Sequence, residues 1–478
     1  MFYQALLVIP ALTYFYNKRL ARIFLAAIEI ILLSLNLTNL VTLQLSQVIV
    51  VVASLILLMD PGSNPELLSI VTFISTIPLP QSLTLVSLAL FLFVALAVKR
   101  CQKRFALYVL IVIPFTLILQ YFGYSFAAVG LVLMLVGVPP FHKWLSDLYS
   151  NYQSTGVLVA VVALSYLNAY QASYAPLMPL FLFFGTLMMI VGIFQCMISR
   201  SFTDLYSTSH QIILGLLLVS AAVGELQALF FYLLLPSILS LTIIHFVHSH
   251  LAEETKKTGM LEFGGLSTGL RVEAASTLTT YLILFTLVSL SAEIFMQIGV
   301  NGNIVFILLG CATLFVAAAS LAVFFRNYTL IYEGLSKSDV RSSNTEKFAV
   351  GALLGGNLVT GLIPATSFSI FSFIDGWQPP KFETFNALLL ISLAAILLSI
   401  MIVVFAKPSK TKSWTTGYTS VDELHESRGE IFTLWKEIFK PIYDIDVPDD
   451  RASETLGRMS PAILFVVLVA LVVLGEIA

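Results

Sequence analysis

Charge is what this 478-residue chain has least of: Asp, Glu, Lys and Arg together make up 11% of it. Ordinary soluble domains carry about a quarter, so a charged, water-facing surface of normal density is excluded. The 25 basic and 27 acidic residues leave a net charge of −2, which gives no basic field for nucleic acid. Cysteine is also scarce. Cys101, Cys196 and Cys311 are far apart and form no CxxC or Cys/His pattern. That argues against a disulfide framework or a zinc site and makes buried thiols the expected reading. No HExxH, phosphate-binding glycine loop or nucleophilic triad occurs, so no catalytic residue, metal or cofactor is expected.

What the chain has in abundance is apolar length. Hydrophobic residues make up 58% and the mean hydropathy is +0.94. Apolar runs long enough to cross a hydrocarbon core of about 30 Å recur throughout. The pattern predicts an all-α polytopic membrane protein with about sixteen spans. They cover 2–16, 20–37, 42–59, 66–79, 82–98, 105–121, 123–141, 154–170, 175–198, 205–223, 226–248, 274–297, 303–325, 346–372, 384–406 and 459–477. The first run has no basic flank before it and no small-residue cleavage site after it, and reads as a retained span.

Basic residues orient the spans, because positively charged loops stay cytoplasmic. Of the 25 Lys and Arg, 24 fall in loops that follow odd-numbered spans, and only Lys381 lies on the other face. The expected location is the plasma membrane, multi-pass, with the basic loops in the cytoplasm. No Lys or Arg is assigned to a span interior, and Leu67–Ser146 contains no Asp or Glu. Ionisable groups at membrane depth mark ion paths by default. The candidates are Glu29 in span 2, Glu293 in span 12, and His210, His245 and His248. Each has a plainer reading. Glu29 pairs with a partner subunit or is a shallow hydrated carboxylate, and His245 and His248 are solvated helix-end residues.

Residues 407–458 are polar. Ile431, Phe432, Leu434, Trp435, Ile438, Phe439 and Ile442 recur near helical spacing within Val421–Tyr443. This predicts an amphipathic helix on the cytoplasmic membrane surface, or one docked on a partner subunit.

At the end of span 7, Pro140–Phe141–His142–Lys143–Trp144–Leu145–Ser146–Asp147 resembles the PFHxWLPDA signature of antiporter-like membrane subunits. That family is shared by respiratory complex I, Mrp-type antiporters and membrane-bound hydrogenases. On residue chemistry alone, His142 and Lys143 are interfacial and Trp144 belongs to the aromatic belt. Further landmarks follow in order. Tyr206–Gln211 is similar to YSSISQ, Phe231–Ser240 stands where the family has FHLxNHAxFK, and Gly264–Gly265–Leu266 matches its GGL loop. Residues 325–334 and 351–364 resemble the loop after span 13 and the start of the next span, and Trp414–Tyr418 resembles the WxCGY of hydrogenase-type members.

The resemblance implies two inverted five-helix repeats, spans 4–8 and 9–13, each with a broken helix lining a half-channel. The runs 124–141 and 205–223 are the expected broken helices, with Gly130, Gly137 and residues 207–210 relieving the interrupted backbone. The implied units are 1–65 (spans 1–3), 66–170 and 171–325 (the repeats), 326–406 (spans 14–15), 407–458 (lateral helix and linker) and 459–478 (last span). The implied partners are the lipid bilayer and other membrane subunits of a respiratory or Mrp-type complex, and the implied ion is H+ or Na+.

The family's titrating residues are missing. Its span 7 lysine falls on Leu135, and its span 11 histidine and lysine fall on Pro236 and Ser240. Residues 82–98 hold no acid for the span 5 glutamate, and no lysine occurs between Lys257 and Lys337. Three readings follow: a coupling or spacer subunit in a redox-driven complex, an active translocator using Glu293 with histidine relays, or an unrelated solute transporter. The topology has a direct check. Cysteines near Lys337 should react with impermeant thiol reagents only from the cytoplasmic side, and one at Asn301 only from outside. Labelling of both from one side overturns the sixteen-span arrangement.

Overall fold

A computed structural model describes residues 6–362, apart from 15–16, 39–42, 61–62, 77–80, 99–102, 122–127, 140–142, 200, 256–258, 260–262, 264–265, 267–268, 301–302 and 333–341. Spans 15 and 16, the segment 407–458, the Trp414–Tyr418 stretch, Lys381, Pro140 and His142 lie outside the described residues.

The described residues form fourteen α-helices and no β-strand. In chain order they are α1 (Val8–Tyr14), α2 (Lys18–Leu37), α3 (Leu45–Leu58), α4 (Pro65–Thr76), α5 (Gln81–Val98), α6 (Lys103–Tyr121) and α7 (Val129–Val136). Then come α8 (Lys143–Ala169), α9 (Met178–Ile198), α10 (Phe202–Ala222), α11 (Gln227–Thr255), α12 (Arg271–Val300), α13 (Ile304–Tyr332) and α14 (Asn344–Leu362). They fall one to one on the first fourteen expected spans. Six of them (α2 and α9 to α13) are long and apolar enough to cross a membrane.

Local chemistry sets several boundaries. Asn17 caps α2 by accepting from the amides of Arg19 at 2.8 Å and Leu20 at 3.3 Å. Ser201 accepts from the Asp204 amide at 3.1 Å and starts α10. Ser343 and Glu346 form a reciprocal cap on α14, Ser343 N–H donating to the carboxylate at 2.7 Å. Gly137 ends α7 with φ 77°, a left-handed conformation that a Cβ would strain.

α7, only eight residues long, ends well short of the far end of its expected run. The second expected break is not there. α10 runs uninterrupted for 21 residues, and 207–210 do not relieve an open backbone. Ser207 and Thr208 donate to Asp204 O at 3.0 and 2.8 Å, and Ser209 donates to Leu205 O at 2.8 Å. Hydroxyls that return to their own helix are satisfied without opening it.

The helices pack as antiparallel neighbours. α9 lies along α10 and α12 along α13, the two most extensive pairings. α11 runs through the middle, buried from Ala228 to His248, against α3, α8, α10, α12 and α14. α9 and α10 approach so closely that a Cβ on Gly185 would meet Val219 Cγ2 at 2.5 Å. One on Gly215 would meet Gly185 O at 2.6 Å. Small residues serve this purpose in membrane interiors, where van der Waals packing holds helices together.

Cross-chain contacts sort the loops onto two ends, numbering each loop by the helix before it. Arg22 donates to Ser63 O at 2.8 Å, joining loops 1 and 3. Arg326 donates to Met197 O and Ser199 O, both at 3.2 Å, joining loops 13 and 9. A β-bridge pairs Ser201 with Gly259, and His250 meets Glu346 at 3.2 Å. At the other end, Gln47 donates to Thr76 O at 3.1 Å and Tyr166 to Ser75 O at 3.3 Å. Among the described residues, loop 1 thus lies with loop 3, and loop 9 with loops 11 and 13.

The packing predicts opposite outcomes at two glycines. Gly215→Leu should destabilise the detergent-solubilised chain by at least about 1–3 kcal/mol through overpacking. Gly351→Ala, with open space around the position, should be neutral or add up to about 1 kcal/mol. Thermal unfolding of the two variants checks this.

Candidate functional site

Polar side chains buried inside the bundle are the functional candidates, because in hydrocarbon each one is costly unless partnered. They gather in four places.

The first is the middle of α11. Pro236 lies within the helix, and α14 crosses close over it: a Cβ on Gly361 would stand 3.5 Å from Pro236 Cβ. Tyr232, one turn earlier, donates to Gly361 O at 2.7 Å. One turn later, Asn357 of α14 donates to Ser240 Oγ at 2.9 Å. Ser240 is fully buried. These positions form a neutral seam between α11 and α14, closed by hydroxyl, amide and carbonyl groups. Leu135, on α7, is likewise fully buried, within the apolar core.

The second place lies at the odd-loop end. His245 Nδ1 is 2.5 Å from Asp60 Oδ2, both groups buried, across 185 residues of sequence. Tyr206 stands beside this pair and beside His210, with ring centroids 5.2 Å from His245 and 4.9 Å from His210. His248 stacks on Phe202 at 4.6 Å, and Phe202 also contacts Phe263. His245 and His248 are therefore not solvated helix-end residues; both are buried. α3, α10 and α11 converge there, and α11 extends to Thr255, well past both rings. The cluster can hold a proton or an ion pair between imidazole and carboxylate. Among the described residues, no three His, Cys, Asp or Glu side chains converge as metal ligands.

The third is Glu293, which is half-buried. Gln297, one turn on, donates to its Oε1 at 3.2 Å. It stands 22 residues beyond Arg271 on α12, about 33 Å along the helix at 1.5 Å per residue. The histidines lie toward the end where α12 begins, so Glu293 does not join them. A second acid on α12, Glu273, is buried in its first turn with neither oxygen hydrogen-bonded among the described residues.

The fourth is Glu29, fully buried. It lies eleven residues into the twenty of α2, near mid-depth, so it is neither shallow nor turned outward to a partner. Lys143, Trp144 and Asp147 lie in the first turns of α8.

Sequence reasoning named Glu29, His210, His245, His248 and Glu293 but missed Asp60, Tyr206, Asn357 and Glu273. For Asp60 the available signal was its place at the Asp–Pro–Gly turn after span 3, on the same side as the end of span 11. No spacing rule connects it to His245.

The pair predicts a double-mutant cycle. Asp60→Ala or His245→Ala alone should cost about 3–5 kcal/mol, the cost of stranding a buried charge. Asp60→Ala combined with His245→Ala should cost clearly less than the sum of the two single losses. Thermal unfolding of the three variants measures the coupling.

No family model matches this chain, and no curated protein matches its sequence. Solved structures do. A chain of the Mrp complex from Dietzia sp. DQ12-45-1b superposes with a TM-score of 0.56 at 12% identity, covering 84% of this chain and 94% of that one. A chain of respiratory complex I from Thermus thermophilus, solved with bound aureothin, superposes with a TM-score of 0.58 at 17% identity, covering 77% and 98%. With its long apolar helices, this membrane protein shares its fold with those chains of the Mrp complex and of respiratory complex I.

Proposed function

We propose that this chain is an antiporter-like membrane subunit of a multisubunit, redox-driven, ion-translocating complex, and that it serves there as a coupling or spacer subunit. The observation that carries this reading is the Ser240–Asn357 contact at 2.9 Å. Ser240 stands where the resemblance places a titrating lysine. A hydroxyl does not titrate in the biological range, and its polar partner is an equally neutral amide. Leu135, at the other expected lysine, is enclosed in the apolar core. Without an ionisable group at either place, the half-channels lack the charge that moves an ion past the midplane.

The Trp414–Tyr418 resemblance supports a redox arm of hydrogenase or sulfur-reductase type. The positive-inside bias supports cytoplasmic odd-numbered loops. A row of exposed apolar side chains on α13, among them Ile304, Leu308, Leu314 and Phe315, supports lipid or other membrane subunits as neighbours.

The competing reading, active translocation through Glu293, predicts a different outcome in the complex reconstituted into vesicles. On the coupling reading, Glu293→Gln leaves ion transport within about twofold of wild type. Leu135→Lys lowers folded yield without raising transport, since a mid-helix charge costs roughly 2.5–3.5 kcal/mol. Loss of transport in Glu293→Gln with intact assembly, or a gain in Leu135→Lys, overturns it.

A further inference from the structure

α2 presents Ala21, Leu25, Ile28, Glu29 and Leu32 inward, and Leu20, Ile23, Ile30, Ile31 and Leu37 outward. One carboxyl therefore interrupts an otherwise apolar inner stripe. Around it pack α1, α3 and α4. α3 carries no titratable residue, α1 carries only Tyr14 and α4 only Glu66. On α2 itself the charged groups are Lys18, Arg19 and Arg22. Arg22 lies seven residues away, about 10 Å along the helix, and donates to Ser63 O at 2.8 Å. The ion pairs among the described residues are His245–Asp60 and His250–Glu346, so no cation neutralises Glu29.

The hydrogen-bond count identifies what does. Glu29 Oε1 lies 3.4 Å from Thr72 Oγ1, while that hydroxyl also lies 2.9 Å from Leu68 O. A threonine hydroxyl has one hydrogen, and the shorter contact, to a carbonyl with no hydrogen of its own, takes it. Thr72 then turns a lone pair toward Glu29. Two acceptors facing each other repel unless a hydrogen lies between them, and the remaining source is Glu29. Oε2 has no hydrogen-bond partner among the described residues. The Ser54 hydroxyl, also unpaired by geometry, faces the same carboxyl and is the donor available to it.

We propose that Glu29 is a proton-binding site at mid-depth of the α2–α3–α4 bundle. It carries a proton at neutral pH and donates it through Oε1 to Thr72. The chain of donors then runs from Ser54 to the carboxyl, to Thr72 and to Leu68 O, with no charge anywhere in it. A sodium ion is the alternative ligand, and the site is too poor in oxygen for it. Two hydroxyls and one carboxyl converge, and α2, α3 and α4 are continuous helices whose carbonyls are engaged within them. An unprotonated, unpaired carboxylate at this depth would cost several kcal/mol. The site joins α2 to α4 through Glu29 and Thr72 and does not depend on the coupling reading above.

The test is infrared spectroscopy of the full chain at pH 7. The carboxylic-acid C=O band, shifted in D2O, should be present in wild type, missing in Glu29→Gln and displaced in Thr72→Val. No acid band at pH 7, or one unchanged by Glu29→Gln, overturns the proposal. So does a band that disappears on adding sodium chloride, which would make the site a cation exchanger. Should Glu29→Gln fail to fold, wild type treated with dicyclohexylcarbodiimide replaces it. The reagent adds to a protonated carboxyl, the acid proton moving to its nitrogen and the carboxyl oxygen to its central carbon, and the adduct rearranges to an N-acylurea. Mass spectrometry should then find the adduct on Glu29 at pH 7. A Glu29 left unmodified while other carboxyls react overturns the proposal.

Discussion

The constraint on which the rest of this structure depends is the absence of water inside the bilayer. Every backbone amide and carbonyl there must be satisfied by the chain itself, which makes the described core helical throughout. The same constraint sends the hydroxyls home: Thr116, Thr242, Ser291 and Thr313 each donate to the carbonyl four residues earlier, at 2.7–2.8 Å. Once these local needs are met, few polar groups remain to be paired between helices. Those few carry most of the information about the bundle.

They do so in two different ways. Ser240–Asn357 and Tyr232–Gly361 are neutral contacts that seal α11 against α14 beside a close-packed glycine. Such contacts add about 1 kcal/mol each and allow no charge movement. Asp60–His245 is the opposite case: a buried carboxylate and imidazole at 2.5 Å that tie α3 to α11. Replacing such a pair with apolar groups is often neutral, while removing one member is severe. It therefore fixes which helices meet more than how strongly they hold. Glu29 is a third case, in which burial without an ionic partner is met by a proton.

This division makes a spacer subunit physically coherent. On the reading proposed above, Leu135, Pro236 and the bonded Ser240 occupy the positions where the resemblance places titrating groups. The buried acids and histidines that remain sit away from those positions, near the odd-loop end or in α2.

Much of this was legible from residue order. The fourteen described helices follow the hydropathy runs because the energy of burying apolar length is nearly additive along the chain. The loops that meet at one end (1 with 3, and 9 with 11 and 13) are ones the charge pattern had grouped together. The inward turn of Glu29 was also there to read, in the spacing Ala21, Leu25, Ile28, Glu29, Leu32. Other features were not legible. The hydroxyl-rich start of α10 looked like the site of a break, yet its side chains bond within the helix, and nothing in a single run distinguishes the two outcomes. The burial of His245 beside Asp60 depends on α3 and α11 meeting, 185 residues apart. Sequence alone determined where the described helices form, since apolar runs are local sums over neighbouring residues. Only the tertiary structure decided which buried polar groups meet, because that depends on contacts between segments that no local pattern relates.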